Sequence, residues 1–454
     1  MERLLARKIA AWVFLLFLVL VIIGTVGFGA LVRNSALGND RFGIAGEIAL
    51  NIASIPATIR KLMQADRDRM IARTNPNELR HANRQGWYLS SETKPTEIDG
   101  YLLLSRYDND TRRHITEMVD LATLKVSHTW RPDSVALFGG LTFGKEYENQ
   151  PFDGELFRVI HPYLLENGDI IVKDMYSPLA RVDACDAEVW IKEGTFHHST
   201  ETGVDGTIWI PANLDVGELQ NVRSSYFDDA LVQISEDGEV LYSKSLTQIL
   251  IENGYEYLLT GMNAGFSDEP IHLNDIEPVL EDGAFWKRGD VFLSFRHKST
   301  IALFRPSTNE ILWLQSGPWS FQHDVDLLSD EKIALYNNNT YSRPRGPSVD
   351  PINEVMIYDF TTDSLSSPYL EIMKEHDIRT ISEGLFTFLP DGHLMVEESD
   401  YGRILFLAPN GEITMEYVNG HENGIPYKLG WVRYISREYG DAVLSNIVRK
   451  NCSG

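Results

Sequence analysis

Four histidines, His161, His198, His272 and His323, each open an apolar run that is followed by a turn and then a strand rich in Val, Ile and Leu. Imidazole can serve as acid, base, nucleophile or metal ligand near neutral pH. A single histidine at a strand start is ordinarily structural, whereas four at one repeat position point to function. Between the second and third strands of the same units fall Arg181, Arg296 with His297, Arg343 with Arg345, and Arg403. Guanidinium offers a planar fork of donors suited to sulfate, phosphate or carboxylate oxygens. If the repeat brings both sets to one mouth, a cationic funnel lined with imidazoles results, and it concentrates small anions. Sulfuryl or phosphoryl transfer suits such a site. A metal centre is the rival use of the histidines, but it needs three or four neutral nitrogens within about 2.1 Å of one ion. No HExxH or carboxylate-rich spacing supports it, so no metal and no other cofactor is expected. Asp275 and Asp324, each close after a histidine, either hold imidazole tautomers or cap strand ends. His393, in an Asp-Gly turn, is expected at the surface.

The elements that position these residues form a repeat. HPYLLENGDIIVKD, HSTETGVDGTIWIP, HLNDIEPVLEDGAFWKRGDVFLSF, HDVDLLSDEKIALY and EGLFTFLPDGHLMV are successive variants of the first hairpin. The second hairpin recurs in segments such as DALVQISEDGEVLYSKSL, TIALFRPSTNEILWLQ and RILFLAPNGEITMEYV. Residues 101–130 supply the second half of one more unit, which lacks an opening histidine. Four antiparallel strands recurring at about 40 to 50 residues are the mark of a β-propeller. The sequence therefore predicts an all-β, six-bladed β-propeller over residues 100–440, with two packed β-domains as the alternative. The late segment IPYKLGWVRYIS is expected to pair with the first blade, since an open edge strand invites aggregation.

Ahead of the repeat, residues 9–32 are uncharged and apolar, long enough to cross a hydrocarbon core of about 30 Å. Arg3, Arg7 and Lys8 precede this stretch and only Arg33 closely follows it. The bias places residues 1–8 in the cytoplasm and everything after the span outside, on a single-pass plasma-membrane signal anchor. A cleavable signal peptide is the rival, although its apolar stretch is usually about 7 to 15 residues. Residues 33–99 are expected to form a short helical stalk or linker, and residues 441–454 a C-terminal tail. With 41 Lys and Arg against 65 Asp and Glu, the net charge of −24 argues against nucleic-acid partners. Two cysteines, Cys185 and Cys452, allow one disulfide at most. Neither GxSxG, a Walker sequence nor a strand-to-helix GxGxxG occurs.

The segments IHLNDIEPV, FLSFRHKSTIALF and FQHDVDLLSDEKIALYNNN resemble the bacterial arylsulfate sulfotransferase family. The resemblance is close from about Asp268 to Phe360 and weaker from about Phe152 to Arg433. It implies a six-bladed periplasmic propeller that moves a sulfuryl group from a phenolic sulfate ester to a phenol acceptor through a sulfated histidine, with no nucleotide donor. It assigns His272, His323, Arg343 and Arg345 as catalytic: the histidines polarise sulfuryl and phenolic oxygens, and one of the two arginines holds the anion. His198, Asn274, Arg296, His297, Glu383 and Arg403 are expected to bind substrate. The family's nucleophilic histidine falls where this chain has Arg403, which cannot take a sulfuryl group as a neutral imidazole does. Three outcomes stay open: His323 or His272 becomes the nucleophile, transfer is direct, or the protein is a non-catalytic propeller that binds a sulfated ligand, glycan or partner protein. Glu383 is expected either to pair with Arg403 or to act as a general base.

Overall fold

The computed structural model describes residues 11–36, 41–71, 80–90, 98–141, 154–155, 157–214, 226–262, 267–343, 346–420, 424 and 426–450. The chain divides into two compact units, residues 1–70 and 71–454. The first holds two helices, Ala11–Ala36 and Gly43–Ile71. Within the former, Trp12–Ser35 spans 24 residues at a mean hydropathy of 2.8, long and apolar enough to cross a membrane. In the latter, Ile44, Ile48, Ile52, Ile55 and Ile59 recur at helical spacing and are exposed.

The second unit is all-β and propeller-like, built of antiparallel meanders whose Gly and Asp turns the sequence announces. Four blades stand as separate sheets rather than the expected six. One contains Tyr101–Asp108, Arg113–Asp120 and Lys125–Trp130. Against its first strand lies the late strand Arg433–Ile435, with Tyr101 opposite Ile435 and Leu103 opposite Arg433. The expected closing strand is therefore present. A second sheet joins Leu273–Pro278, Val291–Phe295, Thr300–Arg305 and Glu310–Ser316. The third joins His323–Leu327, Lys332–Asn337, Glu354–Asp359 and Ser364–Ser366. In the fourth, Leu385–Phe388, Leu394–Glu398, Arg403–Leu407 and Ile413–Val418 gain the outer strand Gly86–Leu89.

Where two further blades were expected, residues 163–245 instead form one eight-stranded sheet. The cause is the nine-residue strand Glu188–Phe196. Its end reaches the following meander, pairing Phe196 with Ala212 and Thr195 with Asn213, so backbone hydrogen bonds run on where side-chain packing alone was expected.

Both ends of this unit are more ordered than the sequence suggests. Gly86–Leu89 falls inside the expected stalk, yet Trp87 packs 4.9 Å from Tyr417 and 6.3 Å from Phe406, ring to ring. The expected tail is largely a helix, Arg437–Lys450, whose Val443 and Ile447 join a core with Tyr101, Leu103, Ile170 and Val182. Cys185 is disulfide-bonded; Cys452, the other cysteine, lies outside the described residues.

This helix gives a direct test of packing. Val443 is fully buried, and Val448, on the opposite face, is 79% exposed. Val443→Ala is expected to lower stability by about 2 kcal/mol, while Val448→Ala stays within about 0.5 kcal/mol. Denaturant unfolding of the two variants measures the difference, and equal effects would mean the helix does not dock.

Candidate functional site

The residue two or so positions ahead of a strand takes a left-handed backbone at six places: His161 (φ 44°), His198 (50°), His272 (59°), Phe321 (54°), Glu383 (59°) and Trp431 (56°). Such angles are uncommon for residues with large side chains and cluster at functional sites. Neighbouring groups hold these turns. Arg296 N–H donates to the His272 carbonyl at 3.0 Å, and Lys173 Nζ donates to the His198 carbonyl. Asn338 Nδ2 donates to the Glu383 carbonyl at 2.8 Å, and Glu397 accepts from the N–H groups of Trp431 and Val432 at 3.3 and 2.8 Å.

Several of these residues meet. Trp431 lies at ring-centroid distances of 5.6 Å from His161, 6.1 Å from His198 and 6.1 Å from His323. His198 lies 4.7 Å from His272 and 6.4 Å from His323, and His272 lies 4.5 Å from His297. The expected convergence of His161, His198, His272 and His323 is thus present. In the sheet that begins with His323, however, Phe321 and not the histidine takes the repeat position.

The imidazoles differ in what they can offer. His161 Nε2 accepts from Arg433 at 2.8 Å, and its Nδ1 faces Glu201 at 3.3 Å. His323 Nδ1 pairs with Asn338 Oδ1 at 2.7 Å, while its Nε2 accepts the N–H of Glu383 at 3.3 Å. Burial holds His161, His198 and His323 well below the ordinary imidazole value, with charges from Arg433, His272 and Arg296 respectively adding to the shift. His272 uses both nitrogens, Nε2 toward His198 Nε2 at 3.1 Å and Nδ1 toward Glu269 Oε1.

His297 stands apart. Its Nδ1 donates to the Glu269 carbonyl at 2.9 Å, so its Nε2 carries the lone pair, and that atom has no hydrogen-bond partner among the described residues. Burial, aided by His272, lowers His297 to about 4, so the ring is neutral at neutral pH. Its side chain is 25% exposed, with Glu269 28% and His272 14%; this is the open side of the cluster.

Beside it lies Arg296, on the same short 3-10 turn, Arg296–Lys298. Its guanidinium sits 4.7 Å above the Phe321 ring, whose centroid is 6.0 Å from that of His297. Arg296 Nε is buried, and the guanidinium makes no hydrogen bond or ion pair among the described residues. A cation so placed is a ready anion partner.

The other expected site residues are engaged elsewhere. Asn274 is buried, with its Nδ2 donating to the Gln322 carbonyl at 2.7 Å. Glu383 does not pair with Arg403; it holds Arg158 through contacts of 2.5 and 2.6 Å. Arg403 is buried between Glu398 at 2.9 Å and Glu416 at 2.6 Å. Glu416 also binds Arg84, and Glu398 binds Arg80, so Arg403 fastens the segment that precedes the outer strand. Arg181 is bonded to Asp169 and to the Glu236 carbonyl. Arg343 is half exposed on the two-stranded ribbon Thr340–Arg343 with Gly346–Val349, paired with Asp350; Arg345 lies outside the described residues. His393 is buried against Asp391 rather than at the surface. Of the two aspartates, Asp275 accepts the Val325 N–H and Asp324 the Phe386 N–H, both on the next sheet's first strand. They serve as inter-sheet caps.

Sequence reasoning missed Trp431, Glu269, His197 and Phe321. Only Trp431 had a visible signal, because the closing segment supplies the first strand of the unit that lacked an opening histidine. Glu269, His272 and His297 have ligating atoms within 4.8 Å of one another. His272 Nδ1 is bonded to Glu269 Oε1 and His297 Nδ1 to the Glu269 carbonyl, which leaves His297 Nε2 as the open nitrogen of the three residues.

The open side of this propeller-like β-protein thus carries the neutral His297, the Glu269 carboxylate and an arginine with no ion pair among the described residues, groups that can hold a small anion or pass a proton. In sequence, residues 161–420, more than half of the chain, match the arylsulfotransferase (ASST) family, and the chain belongs to that family. No curated protein sequence matches it. Among solved structures it is similar to a protein of unknown function from Bacteroides caccae, at 9% identity over 74% of this chain and 99% of that one, TM-score 0.44. A chain of a nidogen/laminin complex is similar at 7% identity over 74% and 98%, TM-score 0.40. A streptogramin B lyase is similar at 11% over 77% and 98%, TM-score 0.38. At these scores nothing about the chemistry of this chain follows from them.

The buried carboxyls set a pH window. Burial pushes Asp275 up to about 7, with Glu201 adding, and Glu397 up to about 7. Burial also works to raise Glu269, Glu383 and Glu398, but hydrogen bonds and charges from His272, Arg158, His81 and Arg403 outweigh it and leave each at about 2. Raised carboxyls stabilise the fold below their ordinary value and lose that contribution as pH climbs through about 7. Depressed ones stabilise above the ordinary range and lose it as pH falls toward 2. The contribution of Asp275 is therefore lost between about pH 4 and 7, and the thermal midpoint of Asp275→Asn is expected to fall less than that of the wild type across that interval. Parallel pH profiles of the two proteins contradict this.

Proposed function

We propose that this chain is a membrane-anchored transferase, facing out of the cytoplasm, that moves a sulfuryl group between phenolic sulfate esters and phenol acceptors without a nucleotide donor. Family membership supports the reaction class. The helix Ala11–Ala36 supports an uncleaved anchor over residues 9–32, with the N-terminus cytoplasmic. A disulfide at Cys185 suits an oxidising compartment. In this reading the eight-stranded sheet counts as two fused blades, so that six units surround the site, one for each left-handed strand-opening residue.

The observation that carries the proposal is Arg296 beside the Nε2 of His297 on one short turn, each without a hydrogen-bond partner among the described residues, with the guanidinium over the Phe321 ring and the imidazole edge-on to it. Arg296 holds the sulfuryl oxygens. The His297 lone pair attacks sulfur as the bond from sulfur to the aryl oxygen breaks, which gives a sulfated imidazole and a phenoxide that takes up one proton. The acceptor phenol then loses one proton as its oxygen attacks sulfur and the bond from nitrogen to sulfur breaks. His272 and Glu269 flank the reaction at the open side. His323, with both nitrogens engaged, positions the turn at Glu383.

Turnover of a chromogenic aryl sulfate with a phenol acceptor, by the full chain in detergent, tests this. His297→Gln and Arg296→Gln are each expected to cut turnover by about 100-fold or more, while Arg343→Gln stays within about twofold. Full activity in His297→Gln removes that histidine as nucleophile. A wild type that binds the ester at Arg296 but releases no phenol would instead be a receptor, the reading that the ion-paired Arg403 at the family's nucleophile position favours.

A further inference from the structure

Behind the open side, three imidazoles are joined nitrogen to nitrogen. His197 Nδ1 lies 2.9 Å from His198 Nδ1, and His198 Nε2 lies 3.1 Å from His272 Nε2. Carboxylates stand at both ends: Glu269 Oε1 on His272 Nδ1, and Asp229 Oδ1 at 3.4 Å from His197 Nε2. Neutral imidazole carries one N–H, and each nitrogen-to-nitrogen contact needs one donor and one acceptor. Asp229 stands at an ion-pair distance from His197 Nε2 without making a hydrogen bond, so the three hydrogen-bonded junctions use the three protons of neutral rings. With three, the lone pair of a ring nitrogen faces a carboxylate at one end, and a fourth proton relieves that contact.

We propose that Asp229, His197, His198, His272 and Glu269 form a proton wire that carries one proton more than three neutral imidazoles hold and passes it between the interior and the transfer site. When His272 is the imidazolium, its Nε2–H donates to His198, whose Nδ1–H donates to His197, whose Nε2–H faces Asp229. Moving two protons, each across one nitrogen-to-nitrogen bond, leaves His197 as the imidazolium and His272 neutral, with its Nδ1–H on Glu269. Both states hold four protons. The phenoxide that leaves the sulfate ester takes one from the Glu269 end, which leaves three neutral rings, and the acceptor phenol returns one. Here the inference rests on the sulfuryl-transfer reading; the wire itself does not.

Burial lowers His197 as well as His198, but at His197 the Asp229 carboxylate works against it, so the surroundings favour charge at the ends over the middle. Lys173 Nζ on the His198 carbonyl, the His323 ring and Trp431 flank His198, and burial holds this ring well below the ordinary imidazole value. His297, Arg296 and Tyr176, whose hydroxyl donates to Glu269 at 3.0 Å, face the outer end. At the inner end Asp229 accepts from Asn213 Nδ2 and from the Leu273 N–H, each at 2.9 Å, which fixes the carboxylate in place.

Solid-state NMR of the full chain in lipid, with 15N-labelled histidine, reads the wire directly. At pH 7 one ring of the three is expected to have both nitrogens protonated, with through-bond coupling between His197 and His198 and between His198 and His272. Assignment uses His197→Gln and His272→Gln. Asp229→Asn, which keeps the shape and removes the charge, is expected to abolish the imidazolium signal. Three neutral rings in the wild type, or an imidazolium indifferent to Asp229→Asn, would overturn the wire. On aryl sulfate turnover, His197→Gln is expected to lower kcat by about tenfold or more with KM unchanged. An unchanged kcat removes the catalytic role. An intact wire in a chain that turns over no aryl sulfate overturns the sulfuryl reading alone.

Discussion

The site depends on six residues being forced into a backbone conformation that their side chains resist. A left-handed residue with a Cβ costs about 1 to 2 kcal/mol, and here His161, His198, His272, Phe321, Glu383 and Trp431 all adopt it. What offsets the cost is a set of hydrogen bonds from neighbouring strands to the same turns, from Lys173, Arg296, Asn338 and Glu397 among others. The turn aims each side chain toward its counterparts, so strain at the rim and proximity at the centre have one cause. It also explains how rings drawn from distant parts of the chain come within 4 to 7 Å of each other.

Charge at the centre is then rationed by pairing. Arg158 is bound by Glu383, Arg433 by Glu201, and Arg403 by Glu398 and Glu416. A buried guanidinium left without a partner is costly, and among these arginines Arg296 is the exception. Its neighbours are the Phe321 ring, the neutral His297 and, without a direct contact, the Glu269 carboxylate. In a protein of net charge −24, a guanidinium left without an ion pair among the described residues is a local positive charge.

The repeat, the ring-closing strand and the meeting of the four strand-opening histidines were legible in the sequence, because alternation, turn residues and a recurring histidine are local signals. Partner choice was not. Glu383 was expected to face Arg403, but the register of the last sheet puts Arg403 among Glu398 and Glu416 and leaves Glu383 to Arg158, 225 positions away in sequence. Arg343 looked like an anion holder by spacing, yet it sits on a ribbon outside the main sheet. The second and third blades looked separate because nothing in GTFHHST marks Phe196 as the residue that carries pairing across to Ala212. Likewise HH at 197–198 reads as two adjacent histidines, and only the fold turns their Nδ1 atoms toward each other.

Closure of the ring has a consequence for how the protein is made. The sheet that opens with Tyr101 is completed by Arg433–Ile435, and the sheet that ends with Val418 borrows Gly86–Leu89. During vectorial synthesis the first of these sheets waits, with its inner edge unpaired, until residues 433–435, more than three hundred positions later, have emerged. Trp431, at the hub of the histidines, arrives in the same late segment. Assembly of the histidine cluster is thereby tied to the arrival of residues 431–435, and a chain that lacks them exposes a bare strand along Tyr101–Asp108.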